Sequence, residues 1–485
     1  KKDELIIDRN IVVKPEHIAK LRSLAIKRAE LELDQGGLRA WLPAIGYFIL
    51  IGLIIGFFGA FIALMRMEVW NDWKLLLLIT LVLSSLHGCQ VLTPVDENML
   101  RYLFPAALAA MLLGILVDRG VAMAAIGVFG LIGGLLRGSD FPTVLIAVCG
   151  GSAAILAIRN VRARGDVMRA TLYLLPVYIP IALAFRIIQF NLDRQLWGDL
   201  ALAGANSVLS PILALGLVFI FEKLFRITTD LSLLELVDLN QPLLRDLAIK
   251  SPGTYHHSIM VGSLAEAAAR AIGANALLTR AGAYYHDIGK MINREYFIEN
   301  QETGSENIHD KLPPSKSAQI VINHVQQGLL LADQHRLPPK VKAFIAEHHG
   351  RSKLAYFYAK ARKELGDDVS EERFSYPGPN PQSKETGILM LADVVEAATR
   401  SNEHPSTDDI RTIVEKLIHQ RIDEGDLDEC PLTLREINQI QETFIQVLGG
   451  IHHQRIPYPE QASETNTSSD DSASSIKSGI NGSAS

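Results

Sequence analysis

The chain has 485 residues, enough for two or three domains. Its hydrophobic fraction of 48% and net charge of −6 are ordinary as means, but nearly all charge lies before Arg39 or after Glu222, which excludes a purely soluble protein and leaves the net charge saying little about partners. Cys89, Cys149 and Cys430 are far apart and form no Cys-x-x-Cys pair, which excludes a disulfide framework and a zinc–thiolate site.

Residues 1–38 are charged and contain a helical periodicity from His17 to Leu33, the expected end of an extracytoplasmic region. The opening Lys1-Lys2-Asp3-Glu4 has no initiator methionine, so an upstream region is expected to be missing. Residues 39–225 carry seven apolar segments: Trp41 to Met65, Trp73 to Leu92, Met99 to Val117, Val121 to Leu136, Phe141 to Ile158, Val167 to Phe190 and Asp199 to Phe221. Several approach the ~20 residues that cross a bilayer, while the fourth and fifth are short enough to tilt or re-enter. With the N-terminus outside, the inner loops hold Arg66, Arg119, Arg159, Arg162, Arg164 and Arg169, followed by Lys223 and Arg226 after the last span. The outer loops hold only Arg101, Arg137 and Arg194, beside Asp96, Glu97, Asp140 and Asp193, so the C-terminal half is expected in the cytoplasm. His87 and Arg186 are ionisable groups inside spans; a structural role is favoured for both over a ligand pathway.

Residues 226–251 form a leucine-rich connector interrupted at Pro242, expected to pack on the soluble domain. Residues 252–459 read as a compact all-helical domain with a loop at Tyr-Pro-Gly-Pro, and residues 460–485 as a disordered tail. The soluble part is organised around Tyr284 to Lys290, where His286 and Asp287 stand side by side at the end of an apolar helix and Gly289 can turn the chain. Alone, the doublet is a weak signal. With His257, His324, His348, His349 and Asp393 it supplies five imidazoles and two carboxylates, too many for one metal and suited to two that share a bridging carboxylate.

Those seven residues resemble the HD-domain metal phosphohydrolases. The flanking Gly253-Thr254-Tyr255-His256-His257-Ser258, Gly282 to Lys290, Tyr376-Pro377-Gly378-Pro379 and Gln382-Ser383-Lys384-Glu385 resemble the seven-transmembrane HD family, the PgpH-type cyclic di-AMP phosphodiesterases. The resemblance runs from about Arg39 to Glu460 and is tightest in the HD domain. It implies an all-α chain, a polytopic seven-span membrane domain followed by a cytoplasmic HD phosphohydrolase, in the plasma membrane and preceded by an external domain and an earlier anchor. It implies one divalent metal on His257, His286 and Asp393, and a second on His324, His348 and His349, with Asp287 bridging and a shared water activated for hydrolysis of cyclic di-AMP to pApA; the mixed imidazole and carboxylate ligation suits Mn or Fe and tolerates Zn, Co or Ni. Cyclic di-GMP is disfavoured, because the Gly-Tyr-Pro signature of that branch is replaced after His349 by Gly350-Arg351-Ser352.

Lys290 is a candidate catalytic contact to phosphate or the bridging water, and Arg400 and Tyr284 are weaker substrate candidates. His256 is expected to point about 100° from His257, and the second doublet His309-Asp310 to cap a helix or touch substrate rather than bind metal. Expected partners are a cyclic dinucleotide, the lipid bilayer, a second copy of the chain and an external ligand of unknown identity, with no DNA or RNA polymer. Two other readings stay open: a different nucleotide phosphohydrolase, and a seven-span receptor or transporter whose HD domain binds without turnover.

Overall fold

The computed structural model describes residues 6–7, 11–34, 38–92, 101–161, 163–190, 192–301, 306–366, 368–400, 402 and 405–452. Among these the chain is helical, with one isolated β-bridge between Lys353 and Ser375. The expected disordered tail and the outer-loop Asp96 and Glu97 lie outside the described residues.

After α1 (Pro15–Asp34) come α2 (Leu38–Met65), the short α3 (Met67–Asn71), α4 (Trp73–Leu92), α5 (Ala106–Leu116), α6 (Arg119–Leu136), α7 (Phe141–Ala157), α8 (Ala170–Ile188) and α9 (Gln195–Phe225). Each of the seven apolar segments thus contains an apolar helix among its described residues. Among the described residues, four helices are long and apolar enough to cross a membrane, Trp41–Met65, Arg119–Leu136, Arg164–Ile188 and Gln195–Phe225. The short ones are Trp73–Cys89, Ala106–Leu116 and Phe141–Ala157, so the fourth segment is longer than its apolar run suggests. The reason is local: Asp118 accepts from the backbone N–H groups of Gly120 and Val121 and starts α6 at Arg119, ahead of its first apolar residue.

Side chains of α2 such as Phe48, Phe57 and Leu64 stand exposed, a hydrocarbon surface that only lipid would cover. Several polar groups inside the bundle are engaged. Arg186 Nε donates to Asp199 at 2.6 Å and Nη1 to Gln195 at 3.2 Å, and the His87 ring lies 4.1 Å from that of Phe129, in keeping with structural roles. Asn206 Nδ2 donates to the carbonyls of Tyr102 at 2.8 Å and Phe104 at 3.1 Å, tying α9 to the chain just before α5.

The connector is two short helices, α10 (Asp230–Leu236) and α11 (Pro242–Lys250). Leu231 is buried in the membrane-part core and Leu233, two residues on, in the core of the soluble part. The soluble part follows as α12 (Pro252–Ala271), α13 (Ala276–Tyr285), α14 (Pro314–Gln334), α15 (Pro339–Glu347), α16 (Ala355–Leu365), α17 (Lys384–Arg400), α18 (Thr407–Asp423) and α19 (Leu434–His452). Here α12 packs on α13, α17 and α19, while α13 also packs on α15. Gly282 makes the α13–α15 approach: a Cβ there would lie 2.2 Å from the Phe344 ring. The Tyr285 hydroxyl donates to the Leu236 carbonyl at 2.9 Å, tying the connector to the residue just before the doublet.

Candidate metal centre

Five stretches of chain deliver the seven predicted ligand residues to one buried point. His257 lies on α12, His286 and Asp287 follow the last turn of α13, His324 lies on α14, His348 and His349 follow α15, and Asp393 lies on α17. His286, Asp287 and His348 are at most 1% exposed. Potential ligand atoms of His257, His286 and Asp393 lie within 4.8 Å of one another, as do those of His324, His348 and His349.

Asp287 stands between the two triads. Its Oδ2 is 3.2 Å from His286 Nε2 and 3.7 Å from His257 Nε2, and its Oδ1 is 3.4 Å from His324 Nε2 and 3.6 Å from His348 Nε2. His257 Nε2 is 2.9 Å from Asp393 Oδ1, and His349 Nδ1 is 3.9 Å from Asp393 Oδ2.

The backbone sets the imidazoles. His286, His324 and His348 each turn Nδ1 to the carbonyl of the residue three before, Ala283 at 2.7 Å, Val321 at 2.5 Å and Ile345 at 3.0 Å. Nδ1 is therefore the donor, and Nε2 faces inward. His286 Nε2 and both Asp287 oxygens are buried without an aligned hydrogen bond. Imidazole nitrogens and carboxylate oxygens that converge in a buried site, with only Lys290 Nζ close to Asp287 as a cationic neighbour, are a donor set that a cation satisfies, so the residues fit divalent metal.

The charge balance follows from this crowding. Burial lowers His324 to about 3, and burial with the neighbouring His348 and His324 holds His349 well below the usual imidazole range. For His286 burial also pulls downward, but Asp287 and Asp393 outweigh it and raise the imidazole to about 10. His257 is raised against its burial by Asp393 and Glu396. Asp287 is held well below the carboxylate range, against burial, by His286 and Lys290.

Lys290 is at the cluster but engaged: Nζ is 2.7 Å from Asp287 Oδ2 and 3.0 Å from Glu299 Oε1. Tyr284 and Arg400 are not brought there. The Tyr284 ring packs against Gly262 and faces Arg280, Glu266 and Tyr255, and Arg400 is exposed at the end of α17. His256 is exposed, as its helical offset implies. His309 turns Nε2 to the Tyr296 carbonyl at 2.8 Å, a clasp on the preceding loop.

Three neighbours escaped the sequence reading. Glu396 bonds His257 Nδ1; it lies three residues after Asp393 on one helix face, a spacing that could have revealed it. Glu299 holds Lys290 and accepts from Thr254 Oγ1, but comes from a three-residue 3₁₀ turn, Ile298–Asn300, too short to show periodicity. Tyr376, read only as loop, stacks on His349 with centroids 4.2 Å apart.

The family described as 7TM receptor with intracellular HD hydrolase matches residues 41–229, and the HD domain family matches residues 254–398. The cyclic-di-AMP phosphodiesterase PgpH of Bacillus subtilis (strain 168) is 36% identical over 430 residues, 86% of this chain and 60% of that protein. The protein of the same name from Listeria monocytogenes serotype 1/2a (strain 10403S) is 37% identical over 366 residues, 74% of this chain and 51% of that one. A crystal structure of the L. monocytogenes PgpH HD domain in complex with cyclic-di-AMP is 43% identical, with a TM-score of 0.43, covering 44% of this chain and 100% of that chain. The chain therefore spans 60% and 51% of the length of these two curated relatives. With its apolar helices and its buried histidine–aspartate cluster, this is a membrane protein that belongs to the seven-transmembrane HD hydrolase family.

Proposed function

We propose that the chain is a membrane-anchored, metal-dependent phosphodiesterase that hydrolyses cyclic di-AMP to linear pApA. The observation that carries this reading is Asp287, a fully buried carboxylate whose two oxygens face two separate triads and have no aligned hydrogen bond. The names of the two curated relatives support the substrate. The arginines and lysines flanking the apolar helices support seven spans with the HD domain in the cytoplasm and the membrane part as anchor or sensor.

His257, His286 and Asp393 would hold one cation, His324, His348 and His349 the other, and Asp287 both; the mixed imidazole and carboxylate set suits Mn or Fe. When bound, such a pair supplies Lewis acidity to phosphoryl oxygens and lowers the pKa of a water. The carbonyls of Ala283, Val321 and Ile345 fix the imidazole tautomers, and Glu396 does the same for His257. Lys290, braced by Glu299, keeps Asp287 ionised. Solvent reaches the cluster at His349, 22% exposed, and at Asp393 and Lys290, both 14% exposed, so a phosphodiester enters from that side.

The test is turnover by the full chain in detergent, loaded with Mn, with cyclic di-AMP, cyclic di-GMP and a short oligoribonucleotide as substrates and metal content measured on the same sample. Cyclic di-AMP should give pApA, and Asp287→Asn should abolish the reaction. A fully loaded protein that leaves cyclic di-AMP intact overturns the reading.

A further inference from the structure

A cavity of about 640 Å³ lies at the junction of the membrane helices and the HD domain, apart from the metal centre. Four membrane-helix ends each contribute a cation to its wall: Lys74 at the start of α4, Arg119 at the start of α6, Arg159 just beyond α7 and Arg226 just beyond α9. The HD domain adds Lys340, in the first turn of α15, and Asn275, the N-cap of α13.

Most of these cations lack a partner. Among the described residues, the side chains of Lys74, Arg159, Arg226 and Lys340 make no ion pair and no hydrogen bond, whereas Arg119 Nη1 donates to the Arg159 carbonyl at 2.7 Å. Asp72, Asp118 and Asp230 share the lining. Asp118 is committed to Arg66 at 3.1 Å and to the N-terminus of α6, and Asp72 accepts from the Lys74 backbone at 2.9 Å. Arg226 occupies a left-handed backbone conformation, φ 55°, which a residue with a side chain adopts only at a cost.

Unpaired cations converging on one concavity repel each other, and a multiply charged anion relieves that repulsion with charge-assisted hydrogen bonds. Phosphate is the anion that guanidinium and ammonium groups recognise best, and the volume suits a phosphate ester larger than phosphate alone. We propose that this cavity binds a phosphate-bearing anion, supplied by an anionic lipid headgroup at the membrane surface or by a soluble phosphate compound. The site does not depend on the hydrolytic reading. It does lie at one end of a mechanical path: α13 runs from Asn275 to His286 and Asp287, and α15 from Pro339 to His348 and His349. An occupant touching Asn275 and Lys340 contacts the first turns of the helices that carry four of the seven cluster residues.

The test is hydrogen exchange on the full chain in nanodiscs, with phosphatidylcholine alone, with phosphatidylglycerol added, or with pyrophosphate added to the phosphatidylcholine disc. Slower exchange in 226–231 and 339–342 with phosphatidylglycerol only identifies a headgroup; slower exchange with pyrophosphate identifies a soluble ligand. The double variant Arg226→Asn, Lys340→Gln should lose the protection while retaining metal content, asparagine being chosen because it tolerates the left-handed backbone. No protection under either condition, or equal protection in a variant that still loads metal, overturns the proposal.

Discussion

Glu396 holds the Nδ1 side of His257 while Asp393, one turn earlier on the same helix, faces its Nε2. One helix face thus carries both a carboxylate for the cluster and the carboxylate that orients an imidazole toward it. Glu396→Gln keeps the shape and removes the charge. Metal affinity should fall about 10- to 100-fold, the range for outer carboxylates on ligating histidines, with Asp393→Asn worse. Competition against a chelator of known affinity reads this directly, and unchanged affinity would refute the orienting role.

Gly289 is needed for a different reason from the turn that the sequence suggests. It has no positive φ; instead, a Cβ there would lie 1.9 Å from the His324 carbonyl and 2.5 Å from the Gly328 nitrogen. Both contacts are backbone and cannot swing aside. Gly289→Ala should push α14 away from Asp287, cost about 1 to 3 kcal/mol as an overpacking change, and lower metal stoichiometry from two toward one. Mass spectrometry of the native protein counts the metals, and denaturation measures the stability.

Why some of the site was legible and some was not follows from how each residue acts. The seven ligand candidates could be picked out because their chemistry is carried by residue type, and a histidine or aspartate has few reasons to recur in buried helices. Their grouping into two triads around Asp287 is implied by the family resemblance and not by the residues alone, because the packing that brings them together depends on contacts such as Gly282 on Phe344, where a glycine looks like any other. Arg400 shares a helical face with Asp393 by spacing, but it is the terminal residue of α17 and its side chain stands in solvent. Tyr284 neighbours the doublet in sequence, yet its helix turns the ring to Gly262. In the membrane part, apolar runs locate the helices well, while α6 outruns its apolar stretch because its start is set by the Asp118 cap.

Lys290 neutralises a carboxylate that has almost no access to water, so its removal leaves a buried charge exposed to its full desolvation cost. Lys290→Met should destabilise the metal-free protein by about 3 to 5 kcal/mol, as for other broken buried pairs. Loading with Mn should recover much of that loss, because the cations then compensate Asp287. Thermal denaturation with and without metal tests the difference, and an equal loss in both states would remove Lys290 from its charge-balancing role. Turnover should fall even in the loaded variant if the ammonium also meets the phosphodiester.

Metal loading should release protons, with a pH dependence set by the imidazoles. In the metal-free protein burial opposes the charged form of His286, but Asp287 and Asp393 dominate and hold it protonated up to about pH 10. A ligating imidazole must be neutral at the coordinating nitrogen, so binding at pH 8 displaces that proton. His324, lowered to about 3 by burial, and His349, also lowered, are already neutral and contribute none. The release from His286 should therefore fade as pH rises through about 10, whereas ionisation of a coordinated water, with a pKa near ~7, would persist over that range. Titration calorimetry of Mn binding in buffers of different ionisation enthalpy counts the protons. A count that stays flat between pH 8 and 10 would mean that His286 does not carry the proton that the pairing with Asp287 requires.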